Sequence, residues 1–487
     1  MSSAHRLAKN TLLLTIASVG QKAVAFLYFA LIARSIGVED TGAYFLALAM
    51  ITTIGVLDDL GLTSVLIRET AKDPAKASTW LRNVIGTKLI AMPVTVLVAF
   101  FLPTFIGYSH EAALLVQIAI FIMLADTISL TFYGALRGLH VLKYEATGIF
   151  IGQAISTVFG AVCILTGNAT LPLLVGALIA GSVWNAVFSI TQVVRRLGWG
   201  ALRPTFSMGS APLRMAFAFF LAAVFVKIYS YIDSFMLNAV IGKEAVGLYS
   251  VAYKLTYAFQ FLPLAFVGAL YPTMASHAKE PEALRKVFLD AEWYLALLGA
   301  PIVFGIFALA PEIITFFYGA DFAGSIVPLS ILIFVLIAIF LDFPIGSLLN
   351  ATGRQSTKTA IMGGTMVINA AANFILVPRL GVSGASIAAV ISFVFMFTAG
   401  FVMLPKELHL TIGDLLRRIG GLLVAGMAMS VVVLFLKAHM YWMVTIPIGA
   451  LVFVAIAFVT KSFTFDHART FHQLLRGKPY ASTPSDN

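Results

Sequence analysis

Charge is scarce in this chain. Of 487 residues, only 11% are Asp, Glu, Lys or Arg, against about 25% in soluble domains. A water-soluble protein of this length needs a far more polar surface. A large soluble enzyme and an ATPase with its own nucleotide domain are therefore excluded. Cysteine is nearly absent: Cys163 stands alone, which excludes an intrachain disulfide and a cysteine metal site. No Walker A loop, HExxH or GxSxG occurs, and the 8 histidines lie in or near loops without metal-ligand spacing. No cofactor is expected, and the chain reads as a non-enzyme. No cleavable leader is expected either. Residues 1–10 are polar, and many further apolar runs follow the first, which reads as a retained span.

What the chain has is hydrophobicity. Apolar residues make up 60%, and mean hydropathy is +0.96. A transmembrane helix takes about 20 apolar residues, and such stretches recur at 11–33, 42–67, 84–106, 112–133, 146–167, 170–193 and 214–240. They continue at 245–274, 291–317, 325–349, 358–377, 381–404, 416–436 and 441–460. The runs are long and continuously apolar, which implies helices. The expectation is an all-α polytopic membrane protein of about 14 spans.

Net charge is +10. Topology explains it better than nucleic acid does, and no nucleic acid is expected as a partner. Alternate loops hold 24 of the 32 Lys and Arg; the other set holds only Arg34, Lys243, Arg379 and Lys437. The positive-inside rule then places both termini in the cytoplasm. Residues 276–290 and 406–418 read as amphipathic interfacial helices, with Pro281 suited to a first helical turn. The tail at 463–476 reads as lying on the inner leaflet.

The chain repeats itself. Residues 36–47 read IGVEDTGAYFLA and residues 241–252 read IGKEAVGLYSVA. At an offset of 205, Ile36, Gly37, Glu39, Gly42, Tyr44 and Ala47 recur, and Lys22 falls on Lys227. A weaker echo at 216 pairs Asp126 with Asp342. Each copy spans an even number of helices, so both have the same orientation, and the symmetry axis runs along the membrane normal. Such parallel repeats are a transporter signature, with the site between the halves. The expected division is 1–200 as an N-lobe, 201–410 as a C-lobe, and 411–487 as two further helices and a tail.

Three lysines fall inside spans near mid-depth: Lys22, Lys227 and Lys254. An ionisable residue there costs a few kcal/mol and faces a cavity or a partner. Helical spacing gives each a polar or aromatic face: Thr11, Thr15, Ser18, Lys22 and Phe26; Lys227, Tyr231, Ser234 and Asn238; Tyr249, Tyr253, Tyr257 and Gln260 beside Lys254. One reading is a cationic cavity in which lysines hold phosphate while hydroxyls, amides and rings hold sugar. The other is that each lysine pairs with a buried Asp and only joins helices; Asp58, Asp59, Asp126, Asp233 and Asp342 are available. The tyrosine stripe can likewise stack on sugar or pack between helices. Asp126 and Asp233 are candidates for a coupling cation, Na⁺ or H⁺.

The stretches ARSIGVEDTGAYFLALAM, LDDLGLTSVLIRETA (57–71) and YIDSFMLNAVIGKEAVGLYSVAYKL (231–255) resemble Wzx-type polysaccharide flippases. FLPLAFVGALYPTMAS (261–276) and NFILVPRLGVSGASIAAVIS (373–392) do so as well. The resemblance covers about 8–405, within a superfamily that also holds MATE exporters and MurJ-type lipid II flippases. It implies two six-helix lobes in a V, helices 1, 2, 7 and 8 lining the cavity, and two extra C-terminal helices. It also implies transport of a polyprenyl-pyrophosphate-linked oligosaccharide across the cytoplasmic membrane, with polysaccharide polymerase and glycosyltransferases as partners. A MATE-type exporter is the alternative; it would call for an acidic cavity.

Overall fold

A computed structural model describes residues 3–463, with the side chains of 20–463 apart from 265 and 267–269. The described residues form helices and no strand. In order they are α1 (Ser3–Ile54), α2 (Val56–Asp59), α3 (Leu62–Lys72), α4 (Ala77–Phe105), α5 (His110–Gly138), α6 (Lys143–Leu165) and α7 (Leu171–Leu197). Then come α8 (Ser210–Val240), α9 (Lys243–Ala258), α10 (Phe261–Ser276), α11 (Pro281–Ala308), α12 (Ala310–Tyr318) and α13 (Ile326–Leu332). The last are α14 (Val335–Ala351), α15 (Gln355–Val402), α16 (Ile412–Leu436) and α17 (Trp442–Val459).

Among the described residues, 10 helices are long and apolar enough to cross a bilayer, and the bent pair containing α13 and α14 makes an eleventh. Two of them, α1 and α15, each hold two helices joined at a glycine, Gly37 at φ 81° and Gly381 at φ 60°. A side chain at such φ values is strained, so glycine permits the reversal. When each limb is counted separately, and α9–α10 and α11–α12 are taken as interrupted spans, the helices account for the fourteen expected crossings.

The sequence marks several helix ends. Ser109 caps α5 by accepting from the Ala112 amide. Thr411 and Asp414 form a reciprocal capping box at the start of α16. Arg195 and Arg196 occupy the last turn of α7, where positive charge opposes the helix dipole. The two expected interfacial helices are a correction. Pro281 does sit in the first turn, but α11 then runs unbroken into the membrane. At 406–418 a short 3₁₀ turn, Lys406–Leu408, leads straight to α16. Apolar neighbours carry each helix onward, so no separate surface helix forms. Beyond 463, the expected inner-leaflet tail lies outside the described residues.

Helices α4 to α7 pack on one another and on α1; α8 packs on α15, α14 on α11 and α15, and α16 on α11 and α17. The two groups meet where α1 lies along α9, and where α2 and α3 touch α8. The α1–α9 contact has no room for side chains. A Cβ on Gly42 would stand 1.9 Å from the Lys243 carbonyl oxygen, and one on Gly247 would stand 2.0 Å from that of Val38. Val38 and Lys243 are equivalent positions of the repeat, as are Gly42 and Gly247. The contact is therefore reciprocal, as a two-fold axis requires. Small residues let helices approach this closely in membranes. At its rim, Lys243 pairs with Glu39 at 3.2 Å.

Candidate functional site

Helices α1, α8 and α9 each bring one lysine to the junction between the two groups. Lys22 is exposed. Its charge acts on both Lys227 and Lys254. The Lys227 ammonium lies 5.8 Å from the Tyr231 ring centre. That of Lys254 lies 5.3 Å from Phe29 and 5.6 Å from Phe45, both on α1. Ring faces attract cations weakly, by about 0.5–2 kcal/mol, without cancelling their charge.

None of the three lysines has a carboxylate partner among the described residues, and three of the five candidate carboxylates are engaged elsewhere, while Asp58 is buried with both oxygens unpartnered. Asp59 pairs with Lys88 at 2.7 Å, and Asp342 with Lys358 at 2.6 Å. Asp233, 1% exposed, accepts from the Tyr249 hydroxyl at 2.6 Å and the Asn373 amide at 2.5 Å. The joining role therefore falls to Lys88, which also donates to Thr63 and Thr131. Lys358, at the start of the 358–377 span, is likewise buried and paired.

The tyrosines form a continuous ladder. Ring centres of Tyr253 and Tyr257 are 4.3 Å apart, those of Tyr249 and Tyr253 6.2 Å, and those of Tyr231 and Tyr253 6.0 Å. Phe45 of α1 closes on it edge-first, 5.5 Å from Tyr253. Tyr253, Tyr257, Gln260 and Ser230 line a cavity of about 360 Å³, with Asp342, Lys358 and Asn350 opposite. This cavity lies among α8, α9, α14 and α15, at the end of α14 and the start of α15.

Other candidates sit differently. Tyr249 is 0% exposed and turned onto Asp233, beneath the ladder's open face. Ser234 is buried with an unpartnered hydroxyl. Phe26 packs edge-on against Phe317 and Tyr318 of α12, at 5.3 and 6.3 Å. Asn238 is half-buried near the end of α8. Asp126 is exposed on α5, beside Ser182 of α7. The side chain of Ser18 lies outside the described ones. Sequence reasoning passed over Phe29 and Phe45, which approach Lys254, and over Asn369 and Asn373. The available signal was an i, i+4 amide pair inside an apolar run. Asn373 reaches Asp233, while its side-chain oxygen is buried with no donor.

The described residues are an all-helical bundle of membrane-length apolar helices with a lysine-bearing junction. The sequence profile described as polysaccharide biosynthesis protein matches residues 7–278, and the chain belongs to that family. It is a multi-pass membrane transporter of the flippase class, not an enzyme. A second profile, MatE, matches 218–375. A protein of Haloferax volcanii described as "Probable low-salt glycan biosynthesis flippase Agl15" is 23% identical over 390 residues, 80% of this chain and 81% of that one. The "Teichuronic acid biosynthesis protein TuaB" of Bacillus subtilis is 25% identical over 61% of each chain. Among solved structures, an inward-closed lipid II flippase MurJ superposes with a TM-score of 0.70 at 16% identity, covering 92% of this chain and 98% of that one. An inward-facing multidrug MATE transporter gives 0.65 at 18% identity, over 80% and 96%. At these identities the likeness is one of fold.

Proposed function

We propose that this protein moves a polyprenyl-pyrophosphate-linked oligosaccharide from the cytoplasmic to the outer leaflet of the cytoplasmic membrane. It does so by alternating access, for cell-surface polysaccharide synthesis. The observation that carries this reading is the set of three ammonium groups, unneutralised by any described carboxylate, where the two copies of the repeat meet. A pyrophosphate diester carries about two negative charges and offers oxygens to several donors at once. Lys22, Lys227 and Lys254 hold it. Tyr231, Tyr253, Tyr257, Gln260, Asn238 and Ser18 receive the sugars, and Tyr249, Ser234 and Phe26 brace them. The lipid tail stays in the bilayer.

Residues 1–200 and 201–410 rock as two lobes, while 411–487 add two outer helices and a cytoplasmic tail. Both termini are cytoplasmic. Polysaccharide polymerase and glycosyltransferases act on either side of the step. Asp233, with the acceptor oxygen of Asn373 beside it, supplies the oxygen ligands that a coupling Na⁺ or H⁺ requires; Asp126 is the weaker candidate. A MATE-type exporter of cationic drugs shares the fold, but three free lysines at the junction oppose its substrate.

Lys22→Ala and Lys227→Ala are expected to abolish transport of the lipid-linked glycan in reconstituted vesicles, with insertion and folding intact. Arg at either position restores part of it, since Arg also binds phosphate. Normal transport by the double alanine variant overturns the clamp. Binding of a cationic drug in preference to the glycan lipid overturns the substrate class.

A further inference from the structure

Glu292 lies within α11 and is 0% exposed, and neither of its carboxyl oxygens has a hydrogen-bond partner. The charged group that acts on it is Asp342 of α14. Asp342 in turn takes both of its contacts, 2.8 and 2.6 Å, from the Lys358 ammonium of α15. The ammonium thus pairs with Asp342 and leaves Glu292 without a described cation. An ionised carboxylate buried without a partner is too costly to persist, so charge balance requires one proton in this cluster. Asp342 and Lys358 line the 360 Å³ cavity, and Glu292 lies on α11, which packs against α14.

Among the described residues no hydrogen bond or ion pair joins Glu292 to a charged group. On α16, Arg418 is committed to Asp290. On α12, Glu312 is committed to Lys437. Helices α10, α13 and α17 carry no charged residue. On α8, Tyr229 faces Asp342.

We infer that Glu292, Asp342 and Lys358 form a proton-binding site that opens on the cavity and holds one exchangeable proton. Loaded, it contains neutral Glu292 and the Asp342–Lys358 pair, with net charge zero. To unload, Glu292 gives up its proton, which leaves the cluster for water in the cavity, and the net charge becomes −1. Two carboxylates then share one ammonium, which draws Lys358 away from α14 toward α11 and alters the cavity wall. The site differs from Asp233 and Asp126 in residues and helices. Its coupling to transport rests on the flippase reading; its protonation does not.

Infrared difference spectra of the full-length protein in lipid nanodiscs, recorded across pH, read the proton directly. The expected result is a protonated-carboxyl C=O band that titrates in the wild type, is lost in Glu292→Gln and is shifted in Glu292→Asp. Should the Gln variant fail to insert, the Asp variant and the wild type carry the same test. Identical carboxyl spectra in wild type and variants at every pH overturn the inference. In vesicles, the wild-type transport rate should depend on pH, and that dependence should disappear in Glu292→Gln. A variant that keeps the wild-type pH profile reduces Glu292 to a static acid and also overturns the inference. No glycan-lipid transport by the wild type, with the titrating band intact, would instead sink the substrate reading.

Discussion

At the scale of single residues, the cations of this protein divide into two kinds. Lys88 is 4% exposed and tied to Asp59, Thr63 and Thr131. Removing one partner of such a buried pair leaves the other uncompensated, at a cost of about 3–5 kcal/mol. Lys88→Met should therefore lower thermal stability of the purified protein sharply. Replacing Asp59 and Lys88 together by apolar residues should recover most of the loss, and equal destabilisation by single and double variants would show the pair to be unimportant. Lys22, Lys227 and Lys254 have no such tie, so alanine there should leave the melting temperature near that of the wild type while transport fails. The position of these lysines was legible in the sequence, because a cation at mid-span stands out and its recurrence at the repeat offset stands out further. Their freedom was not legible. It depends on where the acids turn: Asp342 toward Lys358 and Asp233 toward Tyr249 and Asn373. Helix rotation in the packed bundle sets those directions. Glu292 was hidden for the same reason, since a carboxyl near an apparent loop reads as solvated until its helix is seen to be buried there.

At the scale of elements, the spans and their order follow from apolar length alone, and the repeat motif predicts where two of them touch. The breaks were harder to see. The turn after Ala258, which separates α9 from α10, occurs inside the single span expected over 245–274. The reversals at Gly37 and Gly381 fall where the sequence places short loops, yet helix continues almost to the glycine on either side. The Gly42–Gly247 contact makes a sharp prediction for α1 and α9. Gly42→Leu places carbon against the Lys243 carbonyl, so the two helices must separate. Cysteines replacing Glu39 and Lys243 in the Cys163→Ala background, joined by a short bifunctional thiol reagent, report that separation. Cross-linking should be efficient in the parent and poor with Gly42→Leu, and joining the helices should stop transport. Unchanged cross-linking in Gly42→Leu would show that the contact yields without opening.

At the scale of the whole molecule, the proposed outward movement of an anionic headgroup can draw its driving force from the membrane potential. Moving one charge through 100 mV is worth about 2.3 kcal/mol. A headgroup of about two negative charges driven outward by an inside-negative potential gains roughly 4–5 kcal/mol. Transport in vesicles should therefore accelerate when an ionophore imposes that potential and slow when its sign is reversed; insensitivity to both would rule out a net charge crossing with the substrate. The two interlocked glycines carry a consequence for how such a machine can vary. Each helix supplies the carbonyl that fills the other's missing side chain, so neither can gain bulk without a compensating shift across the axis. The two copies of the motif are thereby held to a common local shape at this one point, however far their surroundings diverge.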